Sequence, residues 1–188
     1  MGEKKKRKEM KALNKNLFFI DAESDGLYGD FISVGIIVTD ATCREIERFY
    51  YGIDLEHYSV KDEWTKEHVI PILGDYEKCD SQEELLRRVW NCWKKYKENA
   101  YAVGDVIFPV ESRLFQKCVE LDVLNNKLEG PFPLLDLCSM LRAKHIDPLI
   151  DRANLIEEKP NGEKHNALYD VEATIRIFRK YVLEVGNT

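Results

Sequence analysis

The sequence has no apolar run approaching the ~20 residues that a membrane-spanning helix requires, and no apolar stretch of signal-peptide type follows the charged start MGEKKKRKEM. A spanning protein and a secreted one are excluded on this reading, and the expected setting is soluble and cytoplasmic. Cysteine is sparse: Cys43, Cys79, Cys92, Cys118 and Cys138 are an odd number, and no two are separated by only two residues. They read as reduced, mostly buried small hydrophobes, and the short Cys/His spacings of a structural zinc site are missing. There is no internal repeat and no Ser/Pro-rich linker. The 188 residues therefore read as a basic N-terminal extension, 1–16, followed by a single domain over 17–185 with enough length for a real core.

Charge is plentiful but unevenly placed. The chain carries 34 acidic and 28 basic side chains, a net charge of -6. Residues 1–16 hold seven of the basic ones (Lys4, Lys5, Lys6, Arg7, Lys8, Lys11 and Lys15) against Glu3 and Glu9, so this segment is +5 and the remainder -11. A basic tail on an acidic body reads as a solvated extension, or as a nucleic-acid arm. KKKRK would be a nuclear address in a host with a nucleus.

The organisation follows from periodicity. LFFIDA (17–22) is an apolar run ending in carboxylates, a central strand whose end meets solvent. FISVGIIVTD (31–40) is a second strand, and REIERFYYGID (44–54) alternates as a half-buried third, so that three antiparallel strands form a meander. Ser81 with Glu84 is a capping box opening a helix that carries Leu85, Leu86, Val89, Trp90, Trp93 and Tyr96, the tryptophans as core. AYAVGDVIF (100–108) is a fourth strand, Pro109 opens a helix with Leu114, Phe115, Cys118 and Leu121, and PLLDLCSML (133–141) is a short strand running into a helix. A last helix carries Leu168, Val171, Ile175, Phe178 and Val182. The expected fold class is α/β: a mixed β-sheet of ribonuclease H-like order, three antiparallel strands then alternating α and β, flanked by helices.

Three short patterns carry chemistry. Asp21 and Glu23, two apart at the end of the first strand, project from one face, where like charges resist joint ionisation unless a cation such as Mg²⁺ or Mn²⁺ neutralises them. By composition about six acid-x-acid pairs are expected by chance, so position rather than pattern distinguishes this one. In HNALYD, His165 and Asp170 could share a site only if His165 precedes the helix, with Asn166 as its N-cap. His57 and Asp62 have the same spacing, but YSVKDE shows no capped amphipathic helix behind it; His57, His68 and His145 read as surface or supporting residues. In VGDVIFPVESRLF, Glu111 in the first turn of a helix and Asp105 at a strand end compete for a third position, with Glu111 preferred because the helix dipole stabilises it.

These segments, DAESDGL, the mid-chain acid and HNALYDVEAT, with SVGIIVTD and VKDEWTKEHVIPIL as further echoes, together resemble the DEDDh 3'-5' exonucleases of the ribonuclease H-like superfamily, over about residues 17–183. The resemblance implies two-metal hydrolysis of phosphodiester bonds with two divalent cations, Mg²⁺ or Mn²⁺. Asp21 would bridge both ions, Glu23 and Asp170 complete one sphere, and Glu111, or Asp105 in its place, serve the other. His165 would be the general base. Ser24 and Leu27 would meet the 3'-terminal nucleotide, Leu27 as an apolar wedge; Tyr28 and Phe108 are candidate stacking groups, with a core or rim place the competing reading for each. The implied partner is the 3' end of a single-stranded RNA or DNA, with a homodimer among the assemblies allowed and no membrane. The family normally has Asp in the middle motif, so Glu111 is a departure, and a binding module that has lost catalysis is the competing reading.

Overall fold

The structure, a computed structural model, describes residues 14–183. The KKKRK run and nearly all of the 1–16 extension lie outside the described residues. Strands β1 (Asn16–Ser24), β2 (Phe31–Thr39) and β3 (Glu45–Ile53) form the antiparallel meander expected from their patterning. Two further strands, β5 (Ala100–Gly104) and β6 (Leu134–Asp136), add in parallel beyond β1, and β4 (Glu77–Cys79) adds in parallel to β3 at the other edge. The sheet order is β4-β3-β2-β1-β5-β6.

Alternation along β1 sorts the core into two layers. Phe18 and Ile20 face a layer with Val34, Ile36, Trp90, Trp93, Leu114 and Phe115, on helices α2 (Gln82–Tyr96) and α3 (Val110–Glu120) as well as β2. Phe19 faces the opposite layer with Ile37, Leu137, Val171, Ile177 and Phe178, on β2 and on helices α5 (Leu137–Ala143) and α6 (Ala167–Phe178). Helix α1 (Glu63–His68) and the short α4 (Val123–Asn126) complete the α-helices among the described residues. Since residues two apart on a strand share a face, Asp21 and Glu23 continue the row of Phe19, toward α6.

Three expectations are corrected. The fourth strand stops at Gly104, and residues 105–109 form a loop in which Val106 adopts the left-handed conformation (φ 54°) with its N–H donating to Asp136 Oδ1 at 3.0 Å. β3 buries only its C-terminal part, Tyr51 to Ile53, where β4 pairs with it, and Ile46 is exposed. Finally, a capped helix does follow His57: the Asp62 carboxylate accepts the Thr65 N–H and opens α1.

One close approach fixes the site's geometry. Gly35 is the register partner of Asp21, and a Cβ there would lie 2.6–2.7 Å from the backbone of Ala167 and Leu168. The start of α6 therefore rests on β2 where no side chain intervenes. Gly35→Ala is expected to force α6 away from the sheet at a cost of about 1–3 kcal/mol, read as a fall in denaturation midpoint. An unchanged midpoint would show that this contact is not tight.

Candidate active site

The start of α6 is built by Asn166. Its Oδ1 accepts the N–H groups of Leu168 and Tyr169, satisfying donors that a helix start leaves orphaned, and its Nδ2 donates to Ile72 O and Leu73 O at 2.9 and 2.7 Å. This ties the helix to the segment after α1. His165 stands just before the cap, as the spacing required, with φ at 74° and its backbone N–H donating to Asp170 Oδ2 at 2.8 Å. Left-handed backbone is uncommon for a residue with a side chain, and here it turns His165 back over Asp170.

Two other elements bring their acids to the same place. Single ligand atoms of Glu23, His165 and Asp170 all lie within 4.8 Å of one another. Asp21 is close enough to Asp170, Glu111, Glu23 and Asp105 to feel each of their charges. Glu111 is buried, and its Oε1 accepts the Ala22 N–H at 3.1 Å. β5 pairs with β1 only as far as Phe19, which leaves that donor available beyond the end of the parallel ladder. Among the described residues no donor or cation reaches the carboxylates of Asp21 or Glu23. Asp105 differs: Arg152 grips its carboxylate through Nε (2.5 Å) and Nη2 (2.9 Å), so its charge is already matched.

The electrostatic result is a set of reluctant acids. Withdrawal from water, then repulsion from Asp170, Glu111, Glu23 and Asp105, raises Asp21 well above the ordinary carboxyl range. Burial and the neighbouring Asp170 and Glu111 push Glu23 up to about 8, and burial lifts Glu111 to about 7 and Asp170 to about 6. His165 is lowered, by burial first and then by Lys164 and His68, which favours the neutral imidazole. Converging oxygen donors with one imidazole and no internal cation are the donor set of a hard divalent ion. The residues present therefore fit a hard divalent cation.

The expected substrate residues separate. Ser24 and Leu27 line, with Glu23, Trp64, Thr65 and Val110, a cavity of about 370 Å³ directly beside the carboxylates. Leu27 is 62% exposed, while the Ser24 hydroxyl is buried and donates to Gly26 O at 2.6 Å. Phe108 is 71% exposed on the β5–α3 loop and does not line that cavity. Tyr28 lines a different hollow, with Tyr58 and Lys61. His57 and His145 are exposed, and His68 stacks on Trp64.

Sequence reasoning missed what holds α1 in place. The Asp25 carboxylate accepts the N–H groups of Lys61 and Asp62 (2.7–3.0 Å) and the Tyr58 hydroxyl (2.9 Å). Desolvation would raise its pKa, but these bonds outweigh it and hold the carboxyl below its ordinary value. Asp25 reads from sequence as a turn residue, and its partners lie more than thirty residues away.

No protein-family model and no curated protein matches the sequence. Solved structures do. A zinc-bound form of the complex of Escherichia coli exonuclease I with single-stranded DNA superposes with a TM-score of 0.65 at 15% identity, over 93% of this chain and 41% of that one. A moderately thermophilic exonuclease I from Methylocaldum szegediense gives 0.63 at 16% identity, over 92% of this chain and 42% of that one. This chain shares the fold of the matched part of those structures. It spans about two fifths of the length of those proteins, and the shared fold covers nearly the whole of this chain. In this sheet the carboxylates meet at the carboxyl end of β1, beside its junction with the parallel strand β5, the part of an α/β sheet where ligand crevices form.

The raised carboxyls have a thermodynamic consequence. An unfolded chain releases these protons near pH ~4, whereas the folded one retains them through the values given above for Asp170, Glu111 and Glu23. The folded state then binds more protons, so stability without metal falls as pH rises from about 4 to about 8. His165 acts in the opposite sense below its ordinary value of 6.5, one group against three. The melting temperature of EDTA-treated protein is expected to fall between pH 5 and pH 8.5, and a flat or rising profile would contradict these assignments.

Proposed function

We propose that the chain is a metal-dependent 3'-5' exonuclease that hydrolyses phosphodiester bonds at the 3' end of single-stranded RNA or DNA. The observation that carries this reading is the convergence of uncompensated carboxylates from β1 and α6 with Glu111 and one imidazole, beside an open cavity, on the exonuclease I fold. Asp21, Glu23, Asp170 and Glu111 would hold two divalent cations, Mg²⁺ or Mn²⁺; Asp105, already matched by Arg152, would not. When bound, such ions polarise the phosphate and ease release of the 3'-oxygen. His165, neutral at physiological pH, accepts the proton of the attacking water. Asp170 takes the His165 backbone N–H and so ties the base to a carboxylate of the cluster.

Leu27 and Ser24 form the wall against which the terminal nucleotide sits, with Leu27 as an exposed apolar wedge and Ser24 shaping the turn. Phe108 lies outside that cavity and takes no part in holding the terminal nucleotide there. A net charge of -6 disfavours long duplexes, whose binding relies on many Lys/Arg contacts to phosphate, and suits a short end gripped through cations. Among the described residues no helix is long and apolar enough to cross a membrane.

Purified protein incubated with 5'-labelled single-stranded RNA and DNA is expected to produce a ladder shortened from the 3' end with Mg²⁺ or Mn²⁺ and none with EDTA. Intact oligonucleotide under every metal condition would favour the binding-module reading instead.

A further inference from the structure

His165 has a catalytic assignment but no hydrogen bond to aim it. Its backbone N–H is spent on Asp170, and among the described residues its imidazole nitrogens have no hydrogen-bond partner. A general base is ordinarily oriented by a third group bonded to its second nitrogen. What meets the His165 ring instead is an indole. Trp64 packs edge-to-face on it, with centroids 5.0 Å apart and planes at 84°.

Trp64 is itself held. His68 stacks on its indole at 4.9 Å and 13°. The His68 Nδ1 lies 3.0 Å from Trp64 O, and because a carbonyl only accepts, Nδ1 carries the proton and the imidazole is fastened one helical turn from the ring it covers. Helix α1 has only six residues, too few to persist on helix propensity alone. Its place is set by the Asp25 clamp and by the Gly26 N–H, which donates to Thr65 Oγ1 at 3.1 Å. These bonds join α1 to the turn that follows Glu23, so Trp64 and the carboxylates are referenced to the same strand end. Burial does not explain the indole, which is 48% exposed.

We propose that Trp64, backed by His68, is a positioning residue for His165: its ring takes the place of the missing hydrogen-bonding partner and fixes the imidazole's direction relative to the carboxylate cluster. The catalytic part of this inference rests on the exonuclease reading; the placement of the ring does not. Edge-to-face geometry has a shallow but directional preference, and an indole clamped on one side by a stacked ring has little freedom to yield.

The test uses full-length Trp64→Phe, Trp64→Ala and His68→Ala, each checked for an unchanged fold by circular dichroism. The first readout is the His165 Cε1–H signal in the NMR spectrum. In the wild type it should be sharp and displaced by the indole ring current; in Trp64→Ala it should move back and broaden, and in Trp64→Phe it should stay sharp. The second readout is steady-state cleavage of a short single-stranded oligonucleotide. Trp64→Ala should lose roughly 10-fold in kcat with KM within about threefold, as expected for a misdirected base, and Trp64→Phe should recover most of it. His68→Ala should give a smaller loss of the same kind. A His165 signal unmoved in Trp64→Ala overturns the proposal, as does a rise in KM with kcat intact, which would make the indole a substrate contact. Wild-type protein that cleaves nothing sinks the exonuclease reading alone, and the NMR readout still decides the ring placement.

Discussion

Asp21→Asn is expected to stabilise the metal-free protein while abolishing nuclease activity. The two effects have one cause. Asp21 is withdrawn from water and faces Asp170, Glu111, Glu23 and Asp105, so its charge is opposed by everything around it except a cation. Asn has nearly the same shape and no charge, so the variant relieves repulsion at pH 8 and should melt above the wild type in EDTA. With the charge goes the oxygen that would bridge two ions, and the gain in melting temperature produced by Mn²⁺ in the wild type should disappear. Activity should fall to background. A variant that still gains stability from Mn²⁺, or that melts below the wild type in EDTA, would mean that Asp21 is a structural carboxylate.

His165→Ala is expected to cost roughly 10²–10⁴ in kcat, the usual worth of a general base, with metal-dependent stabilisation largely kept. The separation follows from position. Asp21, Glu23, Asp170 and Glu111 would supply the carboxylate oxygens, and His165 stands outside α6, its backbone N–H on Asp170 and its ring against Trp64. Partial loss with a changed pH profile would fit this role; unchanged turnover would remove His165 from the mechanism.

How much of this was legible in the sequence depended on how local the signal was. The meander and α6 were readable because alternation in β1 and β2 and three-four spacing in α6 are written within each segment. The Asn166 cap was readable for the same reason, since capping is a contact between near neighbours. β4 was not, being three residues with one buried side chain, too short to show any period. α1 was not, because a six-residue helix with Thr65 as its buried residue has no amphipathic pattern to detect. The feature that sets Asp105 apart from Glu111 in the structure, its pairing with Arg152, was not legible, because Arg152 lies forty-seven residues away within a weakly patterned stretch. The partners of Asp25 and Trp64 are brought to them only by folding, so neither could be told from an ordinary turn acid or an exposed aromatic.

The account's central claim is that the buried acids around Asp21 form a centre completed by divalent cations. Calorimetric titration of Mn²⁺ into metal-free protein at pH 7.5, run in two buffers of different ionisation enthalpy, tests it most directly. Saturable binding with net proton release is predicted, because a cation takes the place of protons held by Glu23 and its neighbours, and Asp21→Asn should abolish it. No saturable binding, or identical binding by the wild type and Asp21→Asn, would contradict the account.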